Sequence, residues 1–287
     1  MKSVFSAFVF AVSFTATEGI AFDLSEVETK TIRGYEGPSK PKNISNKVLG
    51  NAPLSAEGIA SLEGRNLRTR FWKIGAGAIV PLHDHANRPA VFTVLNGQVF
   101  EYSSKSEKRF EYEAGGLALE EGKGAHWWLN ESDEDVFLIA YDVFQPGKSK
   151  VELGAVPASK NLELPENKDV DHVFLGAVNF GRHFDDETGD GWVLSTYRTT
   201  IEPGGSFADF TAAGEPLQVF VWQGSVEQIT AEGALTLAKD EGASLSEGQT
   251  GWWKNKSDTP AELYFGVVER EEEIEGLQPK GKRAHQH

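Results

Sequence analysis

Short apolar runs, separated by polar turn residues, make up most of this chain. Residues 91–95, 136–141, 218–222 and 263–267 are typical runs, and clusters of Gly, Asn, Asp and Ser lie between such runs. Outside the N-terminus, no long stretch repeats its apolar residues at helical spacing. Runs of this length and punctuation indicate β-strands. The sequence therefore predicts an all-β protein with little helix.

The apolar pattern occurs twice along the chain. HWWLNESD at 126–133 recurs as GWWKNKSD at 251–258, and residues 77–97 align with 204–224 without a gap. A repeat of this extent indicates two homologous units, each a little over a hundred residues long, that bury their own cores.

The repeat and the composition between its copies divide the 287 residues. The first unit is expected within 22–145, after an irregular arm to about residue 43. The second is expected within 170–270. The stretch 146–169, rich in Pro, Lys and Glu, is predicted to be a linker, and 271–287 a flexible tail.

The first residues have the pattern of a targeting segment. Lys2 precedes an apolar run at 4–14 that is too short to cross a bilayer, and a small-residue site ends at Ala21. This pattern predicts a signal peptide over 1–21, cleaved near Ala21/Phe22, and a secreted or periplasmic bacterial protein without a membrane span. A buried N-terminal strand or helix is the alternative. The lack of cysteine suits an oxidising compartment, because there is no thiol to oxidise.

The chain is strongly acidic, with 43 Asp and Glu against 28 Lys and Arg and a formal net charge of -15. Nucleic acids and anionic membranes attract proteins mainly through Lys and Arg, so neither is an expected partner. The expected partner is a small molecule, and a homodimer stays open. The overall field favours a neutral or cationic ligand, although a local basic patch can override it.

Three of the seven histidines have spacings that suit one metal ion. Alternate side chains of a strand share a face, so His83 and His85 point together while Asp84 points away. His126 is the third candidate ligand. Imidazole binds several transition metals, and three ligands leave coordination positions open. We therefore predict one divalent transition metal per chain, and the sequence does not distinguish Fe, Zn, Mn, Ni and Cu.

The segments that hold these histidines resemble the two metal-binding motifs of the cupin superfamily. Residues 77–97 match the first motif, and GKGAHWWLN at 122–130 matches the end of the second. The resemblance implies two tandem cupin barrels (double-stranded β-helix, or jelly-roll, folds), with His83, His85 and His126 as metal ligands. The chain resembles bacterial bicupins described only as cupin-domain proteins.

The first motif departs from the cupin pattern at one position. Cupins usually place a glutamate five residues after the second histidine, where this chain has Ala90. The expected site therefore has three neutral histidines and no carboxylate, which makes a bound ion a stronger Lewis acid. In the superfamily, three-histidine centres occur among iron-dependent thiol, diketone and gentisate-type dioxygenases. The resemblance specifies a fold and leaves the reaction open.

The second repeat has lost every ligand position. Residues that cannot hold a transition metal align with His83, His85, Ala90 and His126, namely Phe210, Ala212, Leu217 and Gly251. We expect a metal-free scaffold in which Phe210 and Trp253 fill the space. A vacant pocket for an apolar ligand is the alternative.

Two aromatic residues are candidates for a substrate pocket. Trp128 follows His126 by two positions and shares its strand face, and Phe92 joins it if Ala90 faces inward. Both aromatics could equally be barrel core, because Trp253 holds the Trp128 position in the metal-free repeat.

Catalytic candidates are few. Arg88 and Arg70 are the cations nearest the first motif, and either could fix a substrate carboxylate through a bidentate contact. Tyr102 is a further candidate. It and three other residues are possible pocket members, namely Tyr112, Glu111 and Glu120, and strand parity does not decide among the four. No residue is identified as a general base.

Two classes of function remain open. The first is an exported metal-dependent enzyme, either dioxygenase-like or a lyase or isomerase, which the three histidines and their open coordination positions favour. The second is a non-enzymatic periplasmic small-molecule binding or sensory protein with a structural or absent metal. The loss of all ligands from the second repeat and the lack of a general base favour the second class.

Overall fold

Strands make up most of the chain in the computed structural model of this protein, which describes residues 22–55, 57–146, 162–208, 215–274 and 285–286. Within these ranges, helix is limited to α1 (Phe180–Phe184) and short 3-10 turns. The expected all-β class is therefore confirmed. The predicted signal peptide, and most of the predicted linker and tail, lie outside the described residues.

The first half of the described chain contains strands β1 to β10. They are β1 (Thr29–Ile32), β2 (Tyr35–Pro38), β3 (Lys42–Pro53), β4 (Asn66–Asp84), β5 (Ala90–Asn96), β6 (Gln98–Ser103), β7 (Phe110–Glu113), β8 (Leu117–Glu120), β9 (Ala125–Leu129) and β10 (Val136–Phe144).

The second half contains strands β11 to β19. They are β11 (Lys168–Asn179), β12 (Trp192–Phe207), β13 (Leu217–Gln223), β14 (Ser225–Thr230), β15 (Gly233–Ala238), β16 (Gly242–Leu245), β17 (Gly251–Lys254), β18 (Ala261–Arg270) and β19 (His285–Gln286).

The strands form two nearly closed antiparallel sheets with the same order. The first runs β19-β7-β6-β9-β4-β10-β5-β8 with β3 also on β4, and the second runs β15-β14-β17-β12-β18-β13-β16 with β11 also on β12. Equivalent residues pair in the same register, since Val80 lies opposite Trp128 and Phe207 lies opposite Trp253. The fold is thus two tandem cupin barrels, as the repeat predicted.

A shift of register in β4 places the first histidine. β4 and β9 pair up to Val80, their register then shifts, and pairing resumes with His83 opposite His126. Pro81 lies in the shifted segment, where the lack of a backbone N–H breaks no ladder hydrogen bond. His83 and His126 are therefore direct neighbours across two strands.

A buried asparagine holds the turn after the Trp-Trp strand in each barrel. Asn130 donates to the carbonyl oxygens of Ile74 and Gly75 at 3.0 and 2.9 Å, and Asn255 donates to that of Ile201 at 2.8 Å. Both side chains are fully buried. Buried amides are stable only when hydrogen bonded, so these bonds give the repeated asparagine a scaffold role.

The two barrels share a hydrophobic core. Its buried residues come from both halves, for example Val91 from the first and Leu194 from the second. Tyr141 of β10 lies at the contact, where its hydroxyl donates to the Tyr264 carbonyl oxygen at 2.7 Å. A Cβ added at Gly266 would overlap the Tyr141 ring, so glycine is needed for this close approach.

Strands also occur in the described parts of both terminal segments. The expected irregular arm contains the β1–β2 hairpin, and its residues Phe22, Ile32 and Tyr35 pack around Trp127. The apolar side chains of the arm order it, because they cover the outer face of β9. In the predicted tail, β19 pairs with β7.

Candidate metal centre

The Nε2 atoms of the three predicted histidine ligands converge on one point. His83 Nε2 lies 3.2 Å from His85 Nε2 and 3.1 Å from His126 Nε2. His83 is near the end of β4, His85 follows that strand, and His126 is in β9. His85 and His126 are buried, and His83 is half-buried.

The other ring nitrogen of each histidine faces a hydrogen-bond acceptor. Nδ1 of His83 and Nδ1 of His85 each lie 2.8 Å from a backbone carbonyl oxygen. Nδ1 of His126 lies 2.9 Å from Glu101 Oε1. Carbonyl and carboxylate oxygens only accept hydrogen bonds, so the Nδ1 atoms carry the protons. The three Nε2 lone pairs are left for a metal.

The spacing of these lone pairs fits a transition metal. At metal–nitrogen distances of about 2.0–2.1 Å, ligand nitrogens stand about 2.9 Å apart in octahedral geometry and about 3.4 Å apart in tetrahedral geometry. The separations of 3.1 and 3.2 Å lie between these values. Lone pairs this close repel one another unless a cation lies between them. The three histidines therefore fit a divalent metal ion with open coordination positions.

Burial keeps two of the rings neutral. It lowers the pKa of His83 to about 3 and the pKa of His85 well below its ordinary value. At neutral pH both rings can bind a metal without first losing a proton. For His126 burial acts in the same direction, but the carboxylates of Glu120 and Glu101 outweigh it and raise the pKa. These carboxylates favour positive charge at His126, which a metal at Nε2 would supply.

Two buried carboxylates lie behind His126, outside the group of three converging Nε2 atoms. Glu101 of β6 accepts from His126 and from the Tyr112 hydroxyl, the latter at 2.7 Å. Glu120 of β8 has an oxygen 3.4 Å from His126 Nδ1. Both lie on the Nδ1 side of the ring, away from the converging Nε2 atoms. They contact the candidate ligand His126, but they do not converge on the point at which the three Nε2 atoms meet.

The two carboxylates differ in their ionisation. Burial acts to raise the pKa of Glu101, but the hydrogen bonds and charge of its neighbours, His126 foremost, outweigh burial and lower it. Burial raises the pKa of Glu120 to about 7. Of the two carboxylates, Glu101 is therefore the one whose surroundings favour negative charge beside the His126 ring.

Strand parity alone gives no signal for Glu101, because it does not show which face of β6 turns inward. Val99, Glu101 and Ser103 are all buried and share one face of β6. A glutamate on the buried face of a strand requires a hydrogen-bonding or charged partner. The sequence does not name that partner, because β9 reaches β6 only in the folded barrel.

The first motif has two positions at which a carboxylate ligand was considered, Asp84 and Ala90. Asp84 faces away from the histidines, as expected, and its carboxylate lies 3.5 Å from Arg33 Nε. Ala90 is fully buried and pairs with Glu120 across β5 and β8. Glu120 thus stands on the strand next to the position at which cupins usually have glutamate.

A cavity of about 320 Å³ opens beside the histidines, which is the size of a small-molecule site. Phe92 and Trp128 line it together with His83 and His126, while Ala90 is buried outside its lining. Most of the remaining wall is apolar and consists of Pro41, Ile44, Trp72, Ile74, Val80, Pro81, Leu82 and Leu138.

Two of the three catalytic candidates face this cavity. Arg70 and Arg88 line it. Tyr102 does not, because it points to the other side of β6, where its ring stacks on Trp127 with centroids 4.1 Å apart. Adjacent residues of a strand face opposite sides, so the inward position belongs to Glu101. Tyr102 is therefore removed from the candidate site.

The described part of the second barrel has no equivalent site. Leu217 is buried in the core, and a Cβ at Gly251 would lie 3.0 Å from a Leu245 methyl carbon. Trp253 is fully buried and packs edge-on against Phe265 at 4.8 Å. Among the described residues, clusters able to hold a metal occur only around His126. The positions 210 and 212 lie outside the described residues.

Comparison with known proteins supports the fold. No protein-family profile matches the chain, and no curated protein does. The putative glyoxylate-induced protein from Pseudomonas aeruginosa has a similar structure, with 14% identity, a TM-score of 0.51, and 84% of this chain and 84% of that chain covered.

Two further solved structures show weaker likeness. The cupin 2 conserved barrel domain protein from Leptotrichia buccalis has 12% identity and a TM-score of 0.47 over 80% of this chain and 97% of that one. The salicylate 1,2-dioxygenase from Pseudaminobacter salicylatoxidans has 11% identity and a TM-score of 0.46 over 72% and 75%. At such identities a likeness concerns the fold alone. Separately, no helix among the described residues is long and apolar enough to cross a membrane.

We predict that replacing His83, His85 or His126 with alanine removes most of the bound metal, because each side chain supplies one of three protein ligands. Metal content measured by mass spectrometry on protein purified from one culture medium tests this. His172→Ala is the control, since His172 stacks on Tyr197 in the second barrel. Wild-type metal content in His126→Ala would refute the assignment, and so would metal loss in the control.

We predict that Glu101→Gln weakens metal binding by about 10–100-fold, the usual effect of removing the carboxylate partner of a ligand histidine. The amide oxygen of glutamine can still accept the hydrogen bond from His126 Nδ1–H, but the side chain is neutral. Competition with a fluorescent chelator measures the affinity. Glu113→Gln, at an exposed position of the adjacent strand β7, is the matched control and should bind metal as the wild type does. Equal affinities in the two variants would show that Glu101 has no electrostatic role.

Proposed function

We propose that this protein is a metal-dependent enzyme that acts on a small organic substrate at the three-histidine centre. The observation that carries the proposal is the convergence of three Nε2 lone pairs at a cavity lined by two of the same histidines. A structural metal site is closed by four protein ligands, whereas a catalytic site keeps a position open. Three histidines beside a cavity correspond to the second arrangement.

The residues of the chain define what the site can do. A divalent ion there would supply Lewis acidity or lower the pKa of bound water. The Nδ1 hydrogen bonds hold the three rings in one orientation, and Glu101 keeps negative charge behind His126. Phe92 and Trp128 exclude water from part of the cavity. Dioxygenase-like oxidation and lyase or isomerase chemistry both suit this arrangement, with Fe, Zn, Mn, Ni and Cu as candidate ions.

We also propose that the mature protein is secreted or periplasmic. The charged, apolar and small-residue order of residues 1–21 supports export, and the lack of cysteine agrees with it. A protein that folds after export meets zinc and copper, which bind imidazole sites more tightly than ferrous iron does. Export therefore bears on which metal occupies the site.

A non-enzymatic small-molecule binding or sensory protein is the second candidate. It is favoured by the lack of a general base in the cavity, where no carboxylate is among the described lining residues. Glu101 and Glu120 lie behind His126 and do not line the cavity.

Elemental analysis of protein from its native compartment, followed by a substrate screen with that metal, tests the enzyme proposal. We expect about one ion per chain, and turnover that is lost in His126→Ala. Gly251→Ala, which crowds Leu245 in the second barrel, should change stability with little effect on turnover. Ligand binding that survives in the histidine variants but is lost in Gly251→Ala would favour the binding protein instead.

Mass spectrometry of mature protein from the native host tests export. We expect the chain to begin at Phe22, within a residue or two, because cleavage follows the small-residue site that ends at Ala21. Recovery of a chain that still carries Met1 would contradict the prediction.

A further inference from the structure

One part of the cavity wall carries more positive charge than its partners neutralise. Arg68, Arg70 and Arg88 surround Asp142, which is fully buried in β10. Three guanidinium groups thus share one carboxylate. The cluster keeps a net charge of two positive units beside the candidate metal centre.

Arg68 alone nearly satisfies Asp142. Its Nε and Nη2 donate to the two carboxylate oxygens at 2.9 and 2.7 Å, which is a bidentate pair. Arg70 adds a single bond from Nη2 at 2.8 Å, and Arg88 approaches only to 3.7 Å. Arg68 is also absent from the cavity lining, whereas the other two belong to it. Arg68 is therefore the structural partner of Asp142, and Arg70 and Arg88 can serve a ligand.

Arg70 has a donor without an acceptor. Its side chain is buried, and its Nε makes no hydrogen bond within the part of the chain that the structure describes. A buried charge whose donors are only partly satisfied costs free energy, and negative charge in the cavity that this side chain lines would offset part of that cost. The guanidinium lies over the Trp72 ring at 4.7 Å, which restrains its orientation.

No acid lines the cavity to cancel this excess, and Glu120 and Asp84 act on Arg88 only from outside the described lining. Among the described lining residues the remaining fixed cation is Lys30, which is exposed, and none is an acid. The local field is therefore positive although the whole chain carries a net charge of -15.

The rest of the wall restricts what can carry the negative charge. Trp72, Phe92 and Trp128 contribute aromatic rings, and Ile74 and Leu138 contribute aliphatic surface. Such walls favour a flat, apolar body over a heavily hydrated one.

We propose that Arg70 and Arg88 bind a carboxylate of the substrate, and that the substrate is an organic acid with a planar, unsaturated or aromatic body. The acid would lie between the arginines and the histidines, with its body against the aromatic walls. Its identity as substrate rests on the proposed enzymatic function. The carboxylate site itself does not, because Arg70 and Arg88 are not metal ligands.

Calorimetric titration of the mature protein with benzoate, a planar carboxylate probe, tests this site. Benzamide is the matched neutral probe, and inorganic phosphate is the anion without a planar body. We expect benzoate to bind at least about tenfold more tightly than either, because it alone combines charge-assisted hydrogen bonds to the arginines with a planar body. Arg88→Gln should bring benzoate to the affinity of benzamide, and Arg88→Lys should give an intermediate value.

Two control variants separate this proposal from the metal-dependent one. Arg109→Gln removes an arginine that pairs with Glu131 away from the cavity, and it should bind benzoate as the wild type does. The triple variant His83→Ala, His85→Ala, His126→Ala should lose metal and still bind benzoate. If that variant binds benzoate and the metal-loaded wild type turns over no acid, the carboxylate site stands and the enzymatic function is refuted.

Four results would overturn the proposal. The first is equal affinity for benzoate and benzamide. The second is wild-type benzoate affinity in a folded Arg88→Gln. The third is loss of benzoate binding in the triple histidine variant, which would place the carboxylate on the metal. The fourth is phosphate binding as tight as benzoate binding, which would indicate a general anion site with no preference for an organic acid.

Discussion

The first barrel depends on one constraint. Three histidine rings have to present unprotonated nitrogens to one point inside it. A free imidazole can exchange its proton between two nitrogens, so each ring has to be held in one tautomer. Two backbone carbonyl oxygens and one glutamate do this. The shift of register around Pro81 then sets His83 opposite His126. Backbone geometry and ring chemistry together create the convergence.

Charge is distributed unequally around this point. Glu101 and Glu120 lie behind His126, while Arg70 and Arg88 face the cavity with only a share of Asp142 as counter-charge. Buried charges are stable when they are paired, and unpaired ones identify places where a ligand completes the structure. A cation between the histidines and an anion beside the arginines would complete both sides. This arrangement would give the cavity a preference for anions, although the chain as a whole is acidic.

The second barrel contributes to the site through structure and not through ligands. It shares a core with the first barrel, and the close contact of Tyr141 with Gly266 joins the two. His183 of α1 accepts a hydrogen bond from the Gly122 amide at 3.0 Å, in the loop that leads to His126. The second barrel, which has no candidate metal site among its described residues, therefore packs against and supports the barrel that carries one. Its Trp253 shows how the space is used, since it fills the core.

Local pattern was enough to predict the strands, the duplication and the three histidine positions, because alternation along a strand and motif spacing are properties of neighbouring residues. Strand parity left Tyr102 open as a candidate and did not identify Glu101, because both depend on which face of β6 turns inward. Glu101, Asp142 and Arg70 meet their partners across strands that are far apart in sequence. Only closure of the barrel brings these charges together, so the sequence determined the candidate ligands and the tertiary structure decided their electrostatic surroundings.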